Sequence, residues 1–474
     1  MNNPFKRLSV FYASRNAENL FSLEGAVPLS KSLPIALQHL LAMFFGNLTP
    51  VLVLMGMVSH PDPAVLENAI RSACFIAGLA TLLQLYPIAK RIGSGLPAIA
   101  GLSFTFVGVM GIIATQYGLS TMFVSIIIAG FVVGLFGLLA KFWVRFIKPI
   151  VGTMVVIALG LYLIQVGAGQ WFDTSNQALY SVGGSGALVY DLGLAWPYIL
   201  CGGLALVSSM AFHLIAKGAW KNLYIFIGLA VGYIAALFFP GMIDWSYLSF
   251  HSFGDFVNVP MPIFVLMPFG AESVNFGAIG LALLIFLVSY SESIGSFQSL
   301  GGALNRDVTS RELAGGLAAN GFVSAIAGVF GTLPVAIYAQ NVGVTTQTKA
   351  INRFATLPVA IGLILVAFFP PIAKFLLTVP TCVIGGCMIY LFASILVIGF
   401  QMLSRLGWTT KNTIIAALSL GIGYGITLLP ELKTAGEGNQ ALQTTLQFFQ
   451  NPTSNAFLLS LLLSYVIPEE KKKD

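Results

Sequence analysis

Fourteen apolar runs, each close to the roughly 20 residues an α-helix needs to cross the hydrocarbon core of a bilayer, take up most of this chain. They are read at 33–58, 68–90, 97–116, 119–143, 147–168, 192–216, 220–243, 273–300, 312–332, 334–350, 354–378, 381–404, 410–429 and 453–468. With 57% hydrophobic and 8% charged residues, the chain lacks the polar surface to cover a water-soluble fold. The expected class is an all-α polytopic membrane protein with the lipid bilayer as its solvent. Lys and Arg collect in short cytoplasmic loops. With the N-terminus inside, all of the 23 basic residues except Arg71, Lys374 and Lys433 fall on the cytoplasmic side. That places a multi-pass protein in the cytoplasmic (inner) membrane with both termini cytoplasmic. The net charge of +6 follows from topology and calls for no nucleic-acid partner. Residues 5–32 contain no apolar stretch of signal-peptide type. Cys74, Cys201, Cys382 and Cys387 lie in apolar runs without metal-ligand spacing and read as small buried hydrophobes.

The two halves of the chain repeat one feature in opposite senses. Leu96-Pro97 opens the third span and Leu333-Pro334 the tenth, and the two prolines lie 237 residues apart, half of 474. The third span runs outward and the tenth inward, which is the relation of an inverted repeat of seven spans. Each pair leads into a short β-favouring or small-residue stretch, residues 98–106 and 335–341, and then into an apolar segment too short to span unaided. Two half-helices arranged this way would aim free N–H groups and positive dipole ends at a site near the midplane.

Polar residues at membrane depth mark where that site should be. Residues 340–349 set amides, hydroxyls and a glycine inside an oily chain, which is tolerated only where backbone is buried in protein or lines a cavity. Glu292 is the one acid placed deep within a span, where an unpaired carboxylate costs at least about 2.5 kcal/mol. It is a candidate for solute binding or proton carriage, against the bland alternative of a neutral Glu bonded to a neighbouring helix. His39, on a small-residue helix, reads as a packing hydrogen-bond donor rather than a proton relay.

The pattern Gln340-Asn341-x-Gly343-x4-Thr348-Lys349 resembles the signature of the nucleobase-ascorbate transporter family, also called nucleobase-cation symporter 2, without a mismatch at constrained positions. Gln38-His39 is similar to that family's first-span Gln-His pair, Ser103-Phe104 to its third-span Ser-Phe, and Glu292 to its eighth-span Glu. The resemblance implies two intertwined inverted repeats, with a core domain (33–143 and 273–378), a gate domain (144–245 and 380–468), an N-terminal segment (1–32) and a cytoplasmic tail (469–474). It also implies a homodimer held by the gate domains while the core moves.

In the family, the Glu and the first signature residue hydrogen-bond the nucleobase, which maps onto Glu292 and Gln340. Backbone N–H contacts map onto Ala339 and Phe104, with Ser103 beside the latter, and Tyr338 stands opposite Phe104 so that a planar ring stacks between them. Asn341, His39, Gln38, Asn320, Ser296, Thr348 and Lys349 map onto coupling or supporting positions. A Gln at position 340 is similar to the purine branch, whose members take xanthine and uric acid. Xanthine is the expected solute, ahead of uric acid, guanine and hypoxanthine, with a uracil-type pyrimidine permease as the alternative. Purine-type members often carry Asp where this chain has Ser296 and Asn320. Glu292 is thereby left as the main protonatable group, with H+ or Na+ as the coupling ion. No cofactor or metal is implied.

Two other classes fit less well. An anion exchanger or channel of the same inverted-repeat fold would be expected to place a cation, not Glu292, beside the site. A membrane enzyme would need a nucleophile, base or metal cluster at membrane depth, and the chain has no His-Glu-x-x-His, Gly-x-Ser-x-Gly or His/Asp cluster.

Overall fold

A computed structural model describes residues 16–58, 62–182, 188–217, 221, 223–248, 250, 253–429, 446 and 449–468. Every expected span meets a helix. The first half holds α1 (Leu29–Met57), α2 (Pro63–Leu85), α3 (Val107–Tyr117), α4 (Leu119–Leu138), α5 (Pro149–Trp171), α6 (Leu192–Ile215) and α7 (Tyr224–Ala236). The second holds α8 (Phe276–Leu304), α9 (Ser310–Val329), α10 (Ala339–Thr348), α11 (Arg353–Ala367), α12 (Pro370–Leu377), α13 (Thr381–Leu406), α14 (Thr410–Gly425) and α15 (Pro452–Val466).

Among the described residues, seven of these helices (α2, α4, α5, α6, α8, α9 and α13) are long and apolar enough to cross a membrane alone. The pair α11 and α12 makes an eighth, bent by 74° where Pro370 and Pro371 open the second piece. Polar caps set several starts. Asp62 accepts from the Ala64 N–H with Pro63 in the first turn, so α2 begins five residues before the apolar run suggests. Asn275 caps α8, and Thr309 with Glu312 forms a capping box on α9.

Among the described residues four short strands accompany the helices: β1 (Ala100–Leu102), β2 (Tyr180–Val182), β3 (Leu188–Tyr190) and β4 (Val335–Ile337). The extended stretches expected before the two half-helices are β1 and β4. They pair antiparallel with each other in the register Ala100↔Ile337, Gly101↔Ala336 and Leu102↔Val335, symmetric about the central pair. Helix packing follows the same two-fold relation. The α4–α9 contact in one sense is matched by α2–α11 in the other, α4–α8 by α1–α11, and α6–α7 by α14–α15, while α5 packs along its own counterpart α13. This is the inverted repeat seen in three dimensions.

All four cysteines are free and buried. Residues 16–28 fold back against the loop between α10 and α11. There the buried Asn352 donates from Nδ2 to the carbonyls of Asn19 (2.8 Å), Gly25 (3.0 Å) and Ser22 (3.1 Å). The tail, residues 469–474, lies outside the described residues.

Candidate functional site

The strand pair β1/β4 sends two helices away in opposite directions, and their N-termini flank one cavity. Ser103 caps a short 3-10 turn at Phe104–Phe106 that runs into α3, while Tyr338 precedes α10 without any side-chain cap. No hydrogen bond reaches the main-chain N–H of Phe104, Ala339 or Gln340 among the described residues. Unpartnered amides at membrane depth cost several kcal/mol each. Their retention at two facing helix starts makes a donor site for a solute carrying acceptors.

The cavity has about 380 Å³ of non-atom space, part of it continuous with the surroundings. The six residues expected to bind solute (Glu292, Gln340, Ala339, Phe104, Tyr338 and Ser103) all line it. Glu292, on α8, is half-buried because it opens into the cavity. Its Oε2 accepts from Thr105 Oγ1 at 2.6 Å and from Ser103 Oγ at 3.3 Å. Among the described residues no cation pairs with it. Gln340 presents an amide that donates and accepts.

Tyr338 is buried and held at both ends. Its N–H donates to Ile99 O at 3.0 Å and its hydroxyl to Leu102 O at 2.8 Å. The ring lies over Gly101, where a Cβ would come within 2.2 Å of Tyr338 Cε2. Asn47 pins the same strand, accepting from the Leu102 N–H at 2.9 Å while donating to Ala73 O at 2.9 Å. Phe104 packs edge-on against Phe392 of α13 with ring centroids 5.1 Å apart. Val156 and Leu159 of α5 and Ile395 of α13 close the apolar wall.

The supporting positions lie behind or beside the cavity. Asn341 donates from Nδ2 to His39 O at 3.0 Å and sits 3.2 Å from His39 Nδ1, which bolts α10 to α1. Asn320 accepts from Gln84 Nε2 at 2.9 Å and donates to Ser293 Oγ at 3.2 Å in a buried polar network. Ser296 lies 3.5 Å from Ile337 O rather than at Glu292. Gln38 is half-buried one residue before His39 and does not line the cavity.

Thr348 and Lys349 also stand away from the cavity. Thr348 Oγ1 donates to Val344 O, and Lys349 ends α10 in a left-handed conformation with φ +53°. Ala339 additionally borders a second chamber of about 400 Å³, lined by Ser296, Ser299, Thr346, Gln401 and Arg405. Thr105, Asn47, Gly101 and the α5/α13 wall were not anticipated from sequence. No local rule marked Thr105, which the structure places inside the 3-10 turn that Ser103 caps.

Residues 30–432 match a family model described as "Permease family". The chain belongs to that family, the nucleobase-ascorbate transporters. The permease is 32% identical over 409 residues to the xanthine permease of Bacillus subtilis (strain 168), covering 85% of this chain and 87% of the relative. It is 29% identical over 469 residues to the xanthine permease XanQ of Escherichia coli (strain K12), covering 95% and 94%. It is 32% identical over 415 residues to the uric acid permease PucK of Bacillus subtilis (strain 168), covering 85% and 89%.

Among solved structures, the permease superposes on the transmembrane domain of a cyanobacterium bicarbonate transporter, BicA, with a TM-score of 0.55 at 15% identity, covering 93% and 98% of the two chains. Murine Slc26a9, an anion transporter in the inward-facing state, gives 0.58 at 12% identity, covering 97% and 71%. At these identities the likeness is one of fold.

Proposed function

We propose that the permease is a secondary active transporter that carries a purine nucleobase across the cytoplasmic membrane. Xanthine is the preferred solute, with uric acid, guanine and hypoxanthine as close competitors. The observation that carries this reading is the single cavity lined by Glu292, Gln340, Ala339, Phe104, Tyr338 and Ser103. A flat oxopurine has ring N–H donors for the Glu292 carboxylate and carbonyl acceptors for the free N–H groups at Phe104, Ala339 and Gln340, and Gln340 meets either kind of edge. Phe104 and Tyr338 supply the aromatic faces for stacking. The relatives named as xanthine and uric acid permeases support the same solute class.

Movement follows from the division of the fold. In this proposal α1–α4 and α8–α12 form a core that holds the site, and α5–α7 and α13–α15 form a gate against which the core slides as an elevator, in a homodimer joined through the gates. The exposed apolar side chains along α6, among them Leu200, Leu204 and Val207, suit lipid or a second copy. The chamber bordered by Ala339 and Arg405 is the route to the cytoplasm in this scheme, both termini being cytoplasmic. Glu292 is the proposed carrier of a coupling proton. Anion carriage of the kind named for the structural neighbours is disfavoured by a carboxylate in the cavity and by the absence of a cation lining it among the described residues.

The test is uptake of labelled xanthine into cells lacking their own nucleobase permeases, competed by uric acid, guanine, hypoxanthine, adenine, uracil and ascorbate. Saturable uptake blocked by oxopurines is expected. Well-expressed protein that moves uracil and not xanthine would reassign the solute.

A further inference from the structure

We infer that Thr105 is a positioning residue for Glu292 and determines which of its two carboxylate oxygens meets the solute. This deepens the purine reading above and rests on it. Thr105 is 1% exposed, directly follows the cavity-lining Phe104 in sequence, and is not itself part of the cavity wall. Its hydroxyl donates to Glu292 Oε2 at 2.6 Å, within the range of a charge-assisted O–H···O⁻ bond. Ser103 Oγ is the other donor to the same oxygen, at a longer 3.3 Å, and it also accepts the Thr105 N–H at 3.2 Å. The turn at 103–105 is therefore folded around Oε2. Among the described residues no hydrogen bond reaches Oε1, the oxygen left for a ring N–H of the solute.

A carboxylate on a three-torsion side chain beside an open cavity would otherwise sample several rotamers and bind in only some of them. Holding one oxygen from the opposite half of the chain removes that freedom before the solute arrives. Ser296, one helical turn after Glu292, is committed to Ile337 O and gives no such support. Gln84, Asn320 and Ser293 form their own network. The anchor of Glu292 thus comes from the turn before α3, and it ties that side of the site to the α8 side through the Thr105 hydroxyl at 2.6 Å, with the Ser103 hydroxyl as a longer second contact.

The experiment measures the xanthine concentration for half-maximal uptake, the maximal rate, and xanthine-induced thermal stabilisation of the full-length purified protein for wild type, T105A, T105S and T105V. Loss of a hydrogen bond to a charged group predicts that T105A raises the half-maximal concentration and the apparent Kd roughly tenfold or more, with surface expression unchanged. T105S keeps the hydroxyl and is expected to restore wild-type values, whereas T105V keeps the volume and is expected to behave as T105A. In an E292Q background, T105A should add little to whatever binding remains, because it acts through the carboxylate. Wild-type affinity in T105A and T105V would overturn the inference while leaving the purine reading intact. So would equal losses in T105S and T105A, which would assign the effect to packing of the methyl group. Absence of any oxopurine response in wild type would overturn both.

Discussion

Gly101→Ala tests the geometry of the cavity floor, and its size is set by the packing around one ring. The added methyl would stand 2.2 Å from Tyr338 Cε2, 2.9 Å from Cδ2 and 2.7 Å from Asn47 Oδ1. Restoring ordinary contact with the ring requires a displacement of about 1.2 Å. Neither neighbour yields easily. Tyr338 is held by its N–H to Ile99 O and by its hydroxyl to Leu102 O, and Asn47 bridges Ala73 and Leu102. The free direction for the ring is into the cavity. Overpacking of this kind costs about 1–3 kcal/mol, and where the ring relaxes into the solute's space that cost reads out as weaker binding, roughly five- to more than a hundredfold. The assay is xanthine-induced thermal stabilisation beside uptake, with Gly280→Ala on α8 as control, since a Cβ there meets nothing within 4 Å. G101A that binds xanthine as tightly as G280A would refute the placement of Tyr338 against the solute.

Three further substitutions separate the proposed roles. Glu292→Gln keeps shape and removes the charge; transport is expected to be lost with membrane insertion intact, and full uptake by this variant would take Glu292 out of the mechanism. Gln340→Glu puts a second carboxylate in the cavity and is expected to weaken xanthine uptake or move preference towards pyrimidines in the competition panel; an unchanged profile would mean that Gln340 does not read the ring. Phe104→Ala removes a stacking face and is expected to weaken binding by about 1–3 kcal/mol, measured as the shift in apparent Kd, and no shift would place the ring elsewhere.

What could be read from the sequence were features with a local physical cause. Apolar run length places helices wherever lipid is the solvent, so α4, α6 and α13 fall close to where hydropathy put them. The polar stretch after Leu333-Pro334 had to be cavity-facing or buried in protein, and α10 is both. Glu292 was conspicuous because a carboxylate in a span demands a reason. The family resemblance supplied Phe104, Ala339 and Tyr338, which no local rule distinguishes from the core aromatics and small residues around them.

The remainder depended on contacts between distant parts of the chain. That β1 pairs with β4 is invisible in either tripeptide, since both are merely apolar and extended. Val156, Leu159 and Ile395 look like any lipid-facing or core aliphatic until α5 and α13 are laid across the site. The kink between α11 and α12 was hidden inside one apolar run, although Pro370-Pro371 marks it in hindsight.

The arrangement around Glu292 bears on how transport could be energised. Ser296 and Asn320, which the family resemblance maps onto carboxylate positions, are both occupied structurally: Ser296 faces Ile337 O, and Asn320 is locked between Gln84 and Ser293. Neither is positioned to receive a proton from Glu292. Among the residues lining the cavity, Glu292 is the only acid. A proton that travels with the solute through this cavity therefore has a single carboxylate to ride on, which limits the cavity to one proton per cycle. A measured stoichiometry above one, or sodium dependence that survives in E292Q, would require a second coupling group outside this cavity. In the proposed scheme one carboxylate serves both coupling and recognition, so loss of Glu292 is expected to remove solute binding and coupling together, and no Glu292 variant should bind xanthine normally while failing only to couple.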